Sequence, residues 1–404
     1  MKTLERIRAL PAQVGRERVS FLGFITLAHV AIHWFMQLLT MLNPHLKAGM
    51  GLNDVQLGGL ASMRMFGQAA LDVPSGILAD RWVRLRGLIV TSSLVCMGLC
   101  YWVLGALTGY WWAMFAVALL AAGTTLFHPA SVASLSNRFP ESRGTAVAVY
   151  GMGATLGNTV SYLVAGFLLA SFSWRGFSES QLLVALAAAG LVAMYATRMF
   201  GGDEVPARKP RPFQELKVLA RSPVILVMVL VRSFNQMARQ VTITFLPIYL
   251  FEQLALSNIE LGIYLTPMAV SGLVAQPVMG VLSDRLGRKA VLAPSLAALG
   301  LAYFLLQWAP PGPALAAVVF AIGFLFYTVA NVTTTVALDV AEKESQASSF
   351  GLVSLGTHIL VVPAPTLAGF LSERFGIMAA FFFPGVCLLA GACMVFPLRL
   401  RGSD

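Results

Sequence analysis

The chain has 404 residues, of which 57% are hydrophobic and 11% charged, with a formal net charge of +10. Its mean hydropathy is +0.76. A soluble domain carries about 25% charged residues, so the composition excludes a water-soluble globule and indicates an integral membrane protein.

The first 19 residues are basic and polar. The apolar run after them has no small-residue cleavage site, so it reads as a first span and not a removed signal. Runs of about 20 apolar residues, the length that crosses a bilayer as a helix, then recur. Their approximate limits are 20–42, 55–79, 87–108, 111–136, 145–172, 179–200, 222–250, 260–283, 289–309, 314–338, 348–372 and 376–398. Barrel strands would alternate over about 10 residues, and these runs do not. The predicted class is all-α, with twelve transmembrane helices. The chain divides into a cytoplasmic segment 1–19, a six-helix half 20–200, a linker 201–221, a second six-helix half 222–398 and a tail 399–404. The linker, rich in Pro, Gly and charge, has room for a short interfacial helix around Phe213–Leu219.

Lys and Arg set the orientation. The N-terminus, the 2–3, 4–5, 6–7 and 8–9 loops, Lys343 and the tail hold 22 of them, against Lys47, Arg175 and Arg374 on the other side. That bias places both termini in the cytoplasm of a plasma membrane, best matched by a bacterial inner membrane. It also accounts for the positive charge, so no nucleic-acid partner is expected. The four cysteines, Cys96, Cys100, Cys387 and Cys393, lie inside apolar runs without metal-site spacing and read as apolar filler.

Ionisable groups at membrane depth are functional candidates by default. His29 and His33 in span 1 share one helix face at i,i+4. Arg64, Gln68 and Asp72 form a stripe on span 2, and Arg232, Asn235, Gln236 and Arg239 another on span 7. His128 falls late in span 4, Tyr327 and Asn331 in span 10 and His358 in span 11. The candidate central cavity is therefore His29, His33, Arg64, Arg232, Asn235, Gln236, Arg239, Asn331 and His358. Asp72 and His128 are the candidate proton carriers. "HVAIH" has two histidines one turn apart but lacks the Glu of HExxH, so no metal is expected. With no nucleotide fingerprint present, no cofactor is expected and the driving force is a gradient.

The chain repeats itself at half length. Gly76 matches Gly280, and Gly58 matches Gly262, at an offset of 204; Pro44 matches Pro247 at 203; "AGFL" occurs at 165–168 and 368–371. An offset of 203 maps His29 onto Arg232 and His33 onto Gln236. Repeats of this kind place a substrate site near mid-membrane where the halves meet. The most charged repeat is "GILADRWVRLR" from Gly76 and "GVLSDRLGRK" from Gly280.

With these features the chain resembles the major facilitator superfamily of secondary transporters. Gly280, Asp284, Arg285, Gly287, Arg288 and Lys289 fit that family's loop signature in full. The first copy keeps Gly76, Asp80 and Arg81, puts Val83 at the inner glycine and shifts the basic residues to Arg84 and Arg86. The resemblance implies a gate in which the aspartate pairs with a loop arginine and faces a helix N-terminus. "FHPAS" at 127–131 and "VYGMGATLGNTV" at 149–160 are similar to segments of fosmidomycin-resistance-type exporters, although the proline expected beyond those glycines is missing.

The resulting expectation is a monomeric secondary transporter working by alternating access, not an enzyme. Its substrate is a small anionic or zwitterionic organic solute, suited to guanidinium forks, and its coupling ion is a proton or a counter-anion. The alternatives are a multidrug/proton antiporter for neutral or cationic amphiphiles, supported by 26 Phe and 17 Met, and a membrane sensor or scaffold that transports nothing.

Overall fold

The computed structural model describes residues 15–200, 223–340 and 356–398. The expected interfacial helix, Lys343, the tail arginines and the first residues of span 11 lie outside them. The described residues form helices joined by short turns and contain no strand. In the first repeat these are α1 (Arg16–Met50), α2 (Asp54–Arg81), α3 (Arg86–Ala106), α4 (Tyr110–Arg138), α5 (Arg143–Ser171) and α6 (Trp174–Phe200). The second repeat has α7 (Pro223–Ile248), α8 (Asn258–Leu286), α9 (Arg288–Leu305), α10 (Pro313–Val340), α11 (Ala364–Phe375) and α12 (Ile377–Val395).

Among the described residues, nine helices are long and apolar enough to cross a membrane. Those that fall short are informative. α2 and α7 carry the arginine stripes, and α11 has only 12 residues. Span 11 was expected as one helix, but residues 356–361 are helical and the chain then turns at 362–363. Pro363 and Pro365 lack the amide hydrogens that a continuous helix would need there. Span 1 differs the other way. α1 runs 35 residues, straight through Pro44, well past the expected limit at 42. Its length is about 52 Å at about 1.5 Å per residue. Proline is tolerated within membrane helices because neighbouring groups satisfy the carbonyl it frees. α7 contains Pro247 at the matching place and ends in a π-helical turn, Tyr249–Gln253.

Two compact units form. One gathers the chain up to Leu39 and Gly67–Arg208; the other gathers Thr40–Phe66 and the chain from Lys209 onward. In the first, α3 packs against α4 and α6; in the second, α9 packs against α10 and α12. Small residues permit both contacts, since a side chain on Gly98 would strike Ala185 and one on Gly300 would come within 2.9 Å of the Gly385 carbonyl. Lipid supplies no hydrophobic drive between helices, so close packing and hydrogen bonds must hold them.

One hydrogen bond is repeated. Tyr101 of α3 donates to the Phe35 carbonyl of α1. Tyr303 of α9 donates to the Ala238 carbonyl of α7 at 3.1 Å and sits 2.6 Å from Thr242 Oγ1. Both tyrosines are buried. Tyr303→Phe is expected to lower stability by about 0.5–1.5 kcal/mol, and Tyr101→Phe by a similar amount. Because the two share no partner, the double variant should show the sum, read as unfolding midpoints in detergent.

In the second unit, Thr40–Phe66 is tied to the C-terminal helices by polar contacts. Asn43 donates to the Ile243 and Thr244 carbonyls, both at 3.2 Å. Lys47 bridges Asp54 at 2.8 Å and Glu252 at 2.7 Å. Ser62 pairs with Thr366 at 2.8 Å, and Ser372 donates to Asp54. α2 and α11 touch backbone to backbone: a side chain on Gly58 would strike the Pro365 carbonyl, and one on Gly369 the Asp54 carbonyl.

Candidate functional site

In the first unit the histidines converge. α5 lies close against α1 because a Cβ on Gly153 would stand 2.7 Å from the Thr26 carbonyl oxygen, and one on Gly157 would stand 2.5 Å from that of Val30. This approach brings the His29–His33 face onto α5. His29 Nδ1 lies 2.8 Å from the Tyr150 carbonyl oxygen, and its ring stacks on the Tyr150 ring at 3.7 Å and 5°. His33 Nδ1 lies 2.9 Å from Asn158 Oδ1. Gln37 Nε2 donates to the same oxygen at 2.9 Å, and Tyr162 donates to Gln37 Oε1 at 2.7 Å. His128 arrives from α4, with its ring 5.3 Å from that of His29 and 5.9 Å from that of His33. Its Nδ1 is 3.4 Å from the Tyr150 hydroxyl.

Residues expected to serve two separate roles thus share one cluster. The sequence reading missed Gln37, Tyr150, Asn158 and Tyr162. A signal existed for each. Gln37 is one turn beyond His33, and the 203-residue offset maps it onto Gln240. Tyr150, Asn158 and Tyr162 recur at helical spacing on one face of α5.

The arginines are set by the second unit. Arg64, buried on α2, donates to Gln240 Oε1 at 2.9 Å. Arg232 donates to Thr334 Oγ1 at 2.8 Å. Asn235 donates to the Phe326 carbonyl at 3.3 Å, and its buried Oδ1 has no hydrogen-bond partner among the described residues. One turn on, Arg239 lies over the Phe326 ring, 5.3 Å from its centroid. Among the described residues, no carboxylate pairs with Arg239. Gln236 is half-buried on the same helix. Asn331 donates to the Gln276 carbonyl at 3.1 Å and flanks Gly280, whose Cβ would lie 3.3 Å from it. His358 is half-buried just before the break at Pro363. Asp72 is exposed on α2 and belongs to the first unit, whereas Arg64 of the same stripe belongs to the second.

The two loop motifs are built differently. In the second copy, Asp284 and Arg288 form an ion pair, and Arg288 also donates to Ser283 Oγ at 2.8 Å. Gly287, at φ +93°, is the only residue between α8 and α9. In the first copy, Asp80 and Arg81 are exposed, and Arg86 is buried and donates from Nε to the Ala79 carbonyl at 2.9 Å. In both copies the first arginine of the following helix reaches back to the helix before it. Gly76 has open space around it, and Arg285 is exposed.

Twelve helices of eight or more residues among those described, in two six-helix repeats with ionisable groups on α1, α2 and α7, fit a multi-pass membrane transporter. The chain belongs to the Major Facilitator Superfamily, whose family model matches residues 25–234 and again 228–403. It is 25% identical over 305 residues to the fosmidomycin resistance protein of Escherichia coli, covering 73% of this chain and 72% of that one. It is 26% identical over 384 residues to a probable sulfoacetate transporter, SauU, of Cupriavidus necator, covering 86% of each. A crystal structure of a bacterial homolog to the human lysosomal transporter Spinster, inward-facing and unoccupied, superposes with a TM-score of 0.80 at 16% identity. That superposition covers 94% of this chain and 96% of the other, and it shows the shared fold.

Proposed function

We propose that this transporter moves a small organic solute bearing a carboxylate, sulfonate or phosphonate group, by alternating access in a bacterial inner membrane with both termini cytoplasmic. The observation that carries this reading is Arg239 of α7, held over Phe326 without a carboxylate partner among the described residues. Its planar guanidinium fork can pair bidentately with two oxygens of a carboxylate, sulfonate or phosphonate. Arg64 and Arg232 add positive charge to the same unit, and the unpartnered Asn235 Oδ1 offers an acceptor for an N–H group of a zwitterion. The likeness to a probable sulfoacetate transporter supports the reading, since sulfoacetate carries both a sulfonate and a carboxylate. Coupling to a counter-anion needs no titrating carrier. Coupling to a proton assigns the carrier to Asp72 or His128. In this reading the Asp284–Arg288 pair holds the cytoplasmic end of α8 against α9 in one gate state.

A thermal-shift panel on detergent-purified protein tests the solute class. Sulfonates, phosphonates and carboxylates at about 100 times their Kd should stabilise the fold by about 2.7 kcal/mol, with lipophilic cations silent. Stabilisation by lipophilic cations alone would reject the anion reading in favour of multidrug export.

A further inference from the structure

We propose that His29, His33 and His128 form a site for a divalent transition-metal ion of the zinc type, each lending one ring nitrogen inside the first compact unit. The site does not depend on the solute class proposed above.

Convergence is the first argument. One ligand atom from each of the three rings lies within 4.8 Å of the others. A tetrahedral zinc site with Zn–N of about 2.0–2.1 Å sets its nitrogens about 3.3 Å apart. The rings would close by about 1.5 Å at most, within the reach of side-chain torsions.

Proton placement is the second. The Tyr150 carbonyl can only accept, so His29 must donate from Nδ1, and its neutral ring carries the lone pair on Nε2. Asn158 Oδ1 already accepts from Gln37, so His33 donates to it from Nδ1 and carries its lone pair on Nε2 as well. His128 has the Tyr150 hydroxyl near its Nδ1. Metal-ligating histidines are oriented in this way, with one nitrogen tied to a carbonyl, amide or hydroxyl group and the other turned to the ion.

One buried nitrogen of the cluster is left without a role in the helix contacts. His29 is 4% exposed and its Nε2 has no hydrogen-bond partner among the described residues. A histidine cluster that only joined helices would give that lone pair a donor; a metal ion satisfies it. Three neutral imidazoles with no carboxylate among the ligands favour Zn2+, Co2+, Ni2+ or Cu2+ over Mg2+ and Ca2+, which require oxygen. A fourth position stays open to water or an anion. The sequence hid the site because "HVAIH" supplies two ligands, and the third comes from α4.

The test uses full-length, untagged protein in detergent, loaded with Zn2+ or Co2+ and dialysed against metal-free buffer. Expected are one ion per chain by mass spectrometry and tetrahedral d–d absorption for Co2+ without a thiolate charge-transfer band. His33→Gln and His128→Gln should each weaken binding at least tenfold, and Asn158→Ala by about 10–100-fold. The double variant His45→Gln/His358→Gln leaves only the three cluster histidines and should bind like the unsubstituted protein, which assigns the site even where a cluster variant fails to fold. Failure to retain Zn2+, an octahedral Co2+ spectrum, a thiolate band, or loss of binding in His45→Gln/His358→Gln would each overturn the proposal.

Discussion

Arg239→Gln is expected to reduce solute flux by about 30-fold to several thousand-fold. That range corresponds to about 2–5 kcal/mol for removing one member of a buried hydrogen-bonded charge pair, at about 1.4 kcal/mol per decade. The prediction rests on the proposed anionic solute, for which Arg239 would be the oxyanion partner. Its neighbour is a ring face, with no carboxylate paired to it among the described residues. The glutamine variant therefore leaves no anion stranded in the protein, and its unfolding midpoint without solute should stay close to that of the parent. Arg239→Lys keeps the charge but loses the planar fork and the guanidinium's place over the Phe326 ring, so it should recover only part of the flux. The assay is counterflow in proteoliposomes, with sulfoacetate as the first probe. Undiminished flux of the anion in Arg239→Gln would remove Arg239 from the binding site.

The second large effect is structural. Gly157→Leu should destabilise the protein by about 1–3 kcal/mol or more, as forced overpacking does. The new Cβ would sit 2.5 Å from the Val30 carbonyl oxygen and 2.8 Å from His33 Cβ. The first of these is backbone and cannot swing aside, so α1 must move away from α5, taking His29 and His33 with it. Gly151→Leu, six residues earlier on α5, provides the contrast. Nothing lies within 4 Å of a Cβ there, so its unfolding midpoint should change by no more than about 0.5 kcal/mol. Equal losses in the two variants would mean that the α1–α5 contact is not what these glycines serve.

Those same glycines show how far the sequence could be read. "VYGMGATLGNTV" marked α5 as unusual, but nothing in it distinguished Gly151, which faces open space, from Gly153 and Gly157, which admit α1. Helix count and repeat were legible because apolar run length and the 203–204 offset depend on local chemistry alone. The break in span 11 was missed although Pro363 and Pro365 announce it, because hydropathy continues across it. The polar stripes on α1, α2 and α7 could be found by counting turns. Which residues they pair with could not, because Asn158, Gln240 and Thr334 come from helices far along the chain. His128 shows the same limit: its depth in span 4 was apparent, and its neighbours were not.

The joint at Gly287 has a mechanical consequence. α8 ends and α9 begins at that one residue, and Arg288 is strapped back to Asp284 and Ser283 across it. A tilt of α8 must therefore turn α9 with it, as a rigid crank turns its shaft. Between α2 and α3 the chain spends Trp82–Leu85 on a turn that includes a short 3-10 segment. The four residues there give slack that a single glycine lacks. The two linkages are therefore of unequal stiffness, and torque should pass with less loss through Gly287 than through Trp82–Leu85.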